Sequence, residues 1–81
     1  MNITVRLFAG LKCENKELAC CGEKEFKIEL LEELSLHELL TLLGIPTDLA
    51  KIVLVNSLLK PLTYTLTNGD EVSVFPPIGG G

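Results

Sequence analysis

Tryptophan is absent from this chain, and aromatic residues are scarce: three Phe and one Tyr in 81 residues. Any core must therefore be built from Leu, Ile and Val, which the hydrophobic fraction of 47% supplies. No run of Lys or Arg occurs, and the net charge is −4. That excludes the basic footprint of a nucleic-acid binder. No apolar stretch approaches the ~20 residues needed to span a bilayer. The N-terminus, "MNITVRLFAG", lacks the pattern of a signal peptide, so the chain reads as cytoplasmic. Cysteine is limited to Cys13, Cys20 and Cys21, an odd number with no C-x-x-C pair. A disulfide framework is not expected, and the three read as reduced, inert thiols in a loop. Together with His37 they could form a Cys₃His zinc site, but the spacing is poor for one. No phosphate-binding loop, Ser-His-Asp set or H-E-x-x-H motif is present. The acidic pairs Glu32–Glu33 and Asp70–Glu71 read as solvated or partner-facing.

The pattern that is present begins with "NITVRLF", residues 2–8. Ile3, Val5 and Leu7 alternate with Asn2, Thr4, Arg6 and Phe8, as in a half-buried strand. Residues 9–23 are polar and broken by Gly10 and Gly22, so they read as a loop. "KEFKIEL" alternates again, with Phe26, Ile28 and Leu30 inward. The two strands are expected to pair as an antiparallel hairpin.

The period then changes. Leu36, Leu39, Leu40 and Leu43 stand at i, i+3, i+4 and i+7, one face of a helix. Ser35 and Glu38 form a capping box, and Leu34 and Leu39 take the staple positions. Gly44 suits a left-handed C-terminal cap, and Pro46 stops continuation. "KIVLVN" is apolar on both faces, which predicts a strand in the middle of a sheet. Pro61 confines any strand in "SLLKPLTYTL" to an edge. "TNGD" is a turn. "EVSVF", residues 71–75, is the last strand, with Val72 and Val74 inward.

One amphipathic helix over a small mixed sheet of four to five strands is a two-layer α+β arrangement. With the first and last strands adjacent in the middle, it is the β-grasp, or ubiquitin-like, fold. The expected division is a domain over residues 1–75 and a flexible tail over residues 76–81.

The chain closes with "FPPIGGG", Phe75 to Gly81. Two prolines stiffen the exit from the last strand, and three glycines lead to a bare carboxylate. Val55–Asn56, "LTNGDEVSVFPPIGGG" at 66–81 and "LFAGLK" at 7–12 resemble the MoaD/ThiS family of sulfur carriers. The Pro-Pro and the length resemble the MoaD branch, the small subunit of molybdopterin synthase. A family member needs only two terminal glycines, so Gly79 is a departure, at a position that varies.

The resemblance implies a function without catalysis by this chain. An ATP-using enzyme of the ubiquitin-activating type adenylates the carboxylate of Gly81, next to Gly80. A sulfur donor converts the adenylate to a thiocarboxylate. The large synthase subunit then passes that sulfur to a pterin precursor, forming the dithiolene that holds molybdenum or tungsten. No cofactor is expected to be bound; AMP and sulfur are covalent intermediates on Gly81. No nucleic acid or membrane is expected as partner.

Physical chemistry supports such an arm. A carboxylate becomes a good electrophile only with a leaving group such as AMP. Glycine lets the backbone approach an active site with no Cβ in the way. Six residues, Pro76 to Gly81, reach at most ~20 Å. Pro76 and Pro77 keep the exit extended, which reduces the entropy lost on insertion. Phe8 and Phe75 fall on the outward faces of neighbouring strands, and Leu58 or Leu59 extends the patch. Such a patch marks an interface, so Phe75, Phe8, Leu58, Leu59, Pro76, Pro77, Ile78 and Gly79 are the expected partner contacts. Rival readings are a carrier for thiamine synthesis, a ubiquitin-like modifier joined to lysines, and an interaction module that does not use its tail.

Overall fold

The computed structural model describes residues 1–77. Its elements follow the order strand β1 (Asn2–Leu7), strand β2 (Glu25–Glu29), helix α1 (Leu36–Leu43), strand β3 (Ile52–Val55), strand β4 (Leu58–Leu59) and strand β5 (Glu71–Phe75). A short 3₁₀ turn, Thr47–Leu49, precedes β3. The five strands form one sheet in the order β2-β1-β5-β3-β4. β1 and β5 run parallel in the centre, with Val5 opposite Val72 and Leu7 opposite Val74. Every other pairing is antiparallel. This is the β-grasp arrangement the sequence predicts, including the β1–β2 hairpin. No helix among the described residues is long and apolar enough to cross a membrane.

The core lies between the sheet and α1. Ile3, Val5, Leu7, Val72 and Val74 meet Leu36, Leu39, Leu40 and Leu43, all buried. The helix starts where the side chains dictate. Ser35 Oγ accepts the Glu38 N–H at 3.1 Å, and Glu38 Oε1 accepts the Ser35 N–H at 2.9 Å. It ends at Gly44, whose φ of 76° is left-handed. The Gly44 N–H donates to the Thr41 carbonyl and the Ile45 N–H to the Leu40 carbonyl, a Schellman closure. A Cβ at Gly44 would also come within 3.1 Å of the Glu14 Cβ.

An eight-residue helix is marginal by itself, so its caps matter. Ser35→Ala is expected to lower the unfolding free energy by about 1 kcal/mol. Urea titration reads this as an earlier midpoint with an unchanged slope. An unchanged midpoint would mean that the box contributes nothing.

Three expectations are refined or corrected. First, the segment 9–23 is a loop, as expected, but one that packs on the core. Cys13 is fully buried, Cys20 is 8% exposed, and Leu11 and Leu18 pack on the core. Its backbone closes on itself, Cys13 N–H to the Glu23 carbonyl and Gly22 N–H to the Cys13 carbonyl. It also caps α1: the Glu14 N–H donates to the Leu43 carbonyl at 2.8 Å, and Asn15 Nδ2 to the Leu42 carbonyl at 2.7 Å. Two carbonyls left without partners by the helix end are thereby satisfied. Cys21 alone of the three thiols is exposed.

Second, β3 lies inside the sheet between β5 and β4, as expected, but is buried on one face only. Val53 and Val55 enter the core, but Ile52 is 45% exposed and Leu54 half-buried on the other side. Only the two-residue strand β4 lies beyond β3, and among the described residues no element covers its outer face. Third, Asp70 is 3% exposed rather than solvated. Glu32, Glu33 and Glu71 are exposed as expected.

Candidate functional site

The outer face of the sheet, opposite α1, divides into an apolar end and a polar end. Phe8, one residue past β1, donates its backbone N–H to the Val74 carbonyl at 3.0 Å, which sets its ring beside Phe75. The two rings stack, with centroids 4.5 Å apart and planes within 7° of parallel. Phe75 pairs with Ile52 across β5–β3, and Leu54 pairs with Leu59 across β3–β4. Alternation along each strand therefore puts Phe8, Phe75, Ile52, Leu54 and Leu59 on one face. Phe8 is 40% exposed, Ile52 45% and Leu59 70%. Together these side chains form a partly exposed apolar surface, the candidate interface.

Leu58 differs from Leu59. It pairs with Val55, a core residue, so it lies on the other side of the pleat at the sheet edge. It is exposed there all the same. Ile52 and Leu54 were missed as patch residues, because their alternation with Val53 and Val55 reads as a strand buried on both faces. Arg6 borders the apolar end, 3.2 Å from Glu71 and 3.6 Å from Glu25. All three are well exposed, so these pairs contribute little to stability.

The patch adjoins the base of the tail. Pro76, half-buried, and Pro77, exposed, follow Phe75 out of the sheet. Ile78, Gly79, Gly80 and Gly81 lie outside the described residues. A cleft of about 240 Å³ beside Phe8 is lined by Arg6, Leu7, Ala9, Gly10, Lys24 and Glu25. That is below the usual volume for a small-molecule site. No cluster of three or more metal-ligating side chains occurs among the described residues. His37 is exposed on α1.

The Val-Asn and Asn-Gly-Asp-Glu stretches turn out to be one structural unit. Asn56 and Ser57 join β3 to β4 with φ of 52° and 70°, a turn with two left-handed residues. Asn56 Oδ1 accepts the Glu71 N–H at 2.9 Å, and its Nδ2 donates to Asp70 Oδ1 at 2.9 Å. Tyr64 Oη donates to Asp70 Oδ2, and the Thr67 N–H and hydroxyl each donate to the same carboxylate. The Gly69 N–H donates to the Asn2 carbonyl, with φ of 88° at Gly69. The network pins the start of β5 and hence the line along which Phe75 and the tail leave.

Burial by itself raises the Asp70 carboxyl, but the hydrogen bonds from Thr67, Asn56 and Tyr64 together outweigh it. The group titrates below its ordinary value of 3.8. A depressed folded value contributes stability that is fully present above 3.8 and is lost as pH falls through the lower folded value. Acid titration of stability should therefore show a loss below about pH 4 to which Asp70 contributes. Asp70→Asn places an amide NH₂ among four donors, and is expected to cost about 1–3 kcal/mol at pH 7. It should also flatten the acid limb of the profile. An unchanged acid limb would show that Asp70 does not carry it.

The ThiS family profile matches residues 5–81. No curated protein matches the chain significantly. SAMP1 from Haloferax volcanii superposes over the whole of both chains with a TM-score of 0.65 at 23% identity, a likeness of fold. The complex of subunits 1 and 2 of the molybdopterin-converting factor from Helicobacter pylori 26695 contains a chain matched over its whole length and the whole of this one. The TM-score is 0.58 and the identity 26%. A match running from the first strand to the last glycine shows that the chain belongs to the ThiS family of ubiquitin-like sulfur carriers.

Proposed function

We propose that this chain is the sulfur-carrying small subunit of a molybdopterin synthase, acting through Gly81. The observation that carries the reading is the stacked Phe8–Phe75 pair with Ile52, Leu54 and Leu59, an apolar surface set at the base of the tail. A carrier needs such a surface and such an arm together. The surface docks the domain on a partner, and the arm delivers its carboxylate or thiocarboxylate into that partner's active site.

The sequence of steps is chemically complete. A Gly81 carboxylate oxygen attacks the α-phosphorus of ATP, and pyrophosphate leaves. A sulfur nucleophile from the donor then attacks the acyl carbon of the adenylate, and AMP leaves with the oxygen. The resulting thiocarboxylate is a better nucleophile than the carboxylate: its sulfur displaces an oxygen leaving group from a carbon of the pterin precursor on the large subunit, and water then hydrolyses the acyl–sulfur bond, leaving sulfur on the pterin and returning Gly81 as a carboxylate. Each step is catalysed by a partner. This chain supplies the carbonyl carbon, the reach and the docking face.

The Helicobacter pylori complex of two converting-factor subunits favours the molybdopterin branch over thiamine synthesis. The test is transfer from the thiocarboxylated chain. Mixed with a molybdopterin-synthase large subunit and its pterin precursor, it should yield the dithiolene product, and mixed with thiazole synthase it should yield none. Transfer only in the second mixture would make it a thiamine-type carrier. Attachment to lysines in place of transfer would make it a modifier.

A further inference from the structure

Sulfur chemistry at Gly81 makes no use of the three cysteines, yet two of them are placed together. Cys13 and Cys20 are both buried, and their sulfur atoms lie 3.0 Å apart. We propose that Cys13 and Cys20 are an oxidisable pair that closes into an intrachain disulfide, fastening the loop that caps helix α1. The inference is independent of the carrier reading, because it rests only on the packing of residues 9–23.

The geometry needs little movement. An S–S bond is about 2.05 Å long, so the sulfurs have about 1 Å to close. The backbone at both positions is already held. Cys13 exchanges hydrogen bonds with Gly22 and Glu23, and the Cys20 carbonyl accepts the Glu23 N–H at 2.8 Å. Cys21 follows Cys20 but is exposed, so the neighbouring thiol does not share their burial.

The oxidant is a small-molecule disulfide such as oxidised glutathione. One thiolate of the pair attacks a sulfur of that disulfide, forming a mixed disulfide and releasing one small thiol. The second cysteine, as thiolate, attacks the protein sulfur of the mixed disulfide and releases the other. Two protein thiols lose two protons and two electrons, and one small disulfide becomes two thiols. Burial, then the neighbouring Cys13, push the Cys20 thiol up to about 12. The Cys20 thiolate is therefore scarce at neutral pH, so any step in which it attacks is slow. The same burial shields the product from reductants.

The consequence falls on α1. Glu14 and Asn15, inside the closed loop, hold the Leu43 and Leu42 carbonyls. Closing a loop of this length restricts the unfolded chain, and should raise the melting temperature by about 10 °C. The Phe8–Phe75 surface lies on the other side of the sheet, so docking should be the same in both states.

The test equilibrates the full chain with glutathione at a range of oxidised-to-reduced ratios. Free thiols are then alkylated and the protein is analysed by intact mass, peptide mapping and thermal melting. The expected product has lost about 2 Da by forming one disulfide, carries its cross-link between Cys13 and Cys20, and is alkylated at Cys21. Cys21→Ser should give the same cross-link and the same rise in melting temperature. Cys13→Ser should give neither. A cross-link that uses Cys21, glutathione on Cys21 with no intrachain bond at any ratio, or an oxidised form melting no higher than the reduced would each overturn the proposal. If Cys13→Ser does not fold, the peptide map of Cys21→Ser decides alone.

Discussion

Phe75→Ala is expected to weaken binding to the large synthase subunit by about 30-fold or more, the effect of losing an aromatic anchor at an interface centre. The change removes one ring of the stacked pair and leaves Phe8 without its partner. It should not unfold the domain, since β5 is anchored in the core by Val72 and Val74. Titration calorimetry measures the affinity, and a thermal melt confirms the fold. The sheet register sharpens the prediction. Leu59→Ala should cost affinity, because Leu59 shares the face of Phe75 through Leu54. Leu58→Ala should cost much less, because Leu58 sits opposite the core residue Val55. Equal affinity for Phe75→Ala in a folded protein would remove the docking surface from the account.

The second large effect concerns the tail. Deleting Gly80 and Gly81 is expected to abolish thiocarboxylate formation while binding to the large subunit is weakened far less. The domain and its apolar face are untouched, but the reacting carboxyl is removed and the new terminal carboxylate, on Gly79, falls two residues short of the nucleotide. Gly80→Val tests the requirement for a bare backbone separately. A branched Cβ beside the reacting carboxylate should slow adenylation by about 100-fold, the scale of loss for small misplacements of reacting groups. Single-turnover adenylation with the cognate activating enzyme measures both. A deletion variant that is still adenylated at the normal rate would assign the chemistry to another group.

The two effects draw on different parts of the molecule, and those parts were unequally legible in the sequence. Helix α1 was readable to the residue because its determinants are local: Ser35 with Glu38, the leucine spacing, and Gly44 before Pro46. The central pairing of β1 with β5 followed from alternation and the single helix. The outward Phe8 and Phe75 were readable by the same alternation, and the structure brings them into contact.

What was not legible depends on partners distant in the chain. "KIVLVN" looks like a strand buried twice over, since sequence cannot distinguish apolar residues facing a core from apolar residues facing outward. Only the short β4 beside it, and an outer face that no described element covers, show Ile52 and Leu54 to belong to the patch. Asp70 looks like half of an acidic pair. Its burial requires Asn56 from 14 positions upstream, together with Tyr64 and Thr67. The Cys13–Cys20 contact was hidden by the polarity of the residues around it, though cysteine's strong tendency to be buried was a usable signal.

The most direct measurement is the mass of the intact protein after incubation with ATP, the activating enzyme and a sulfur donor. The account predicts a gain of about 16 Da at the Gly81 carboxyl, one oxygen replaced by sulfur once AMP has activated the carbon. An unchanged mass, with the same enzyme active on another carrier, would contradict it and leave a ubiquitin-like interaction module whose glycines do no chemistry.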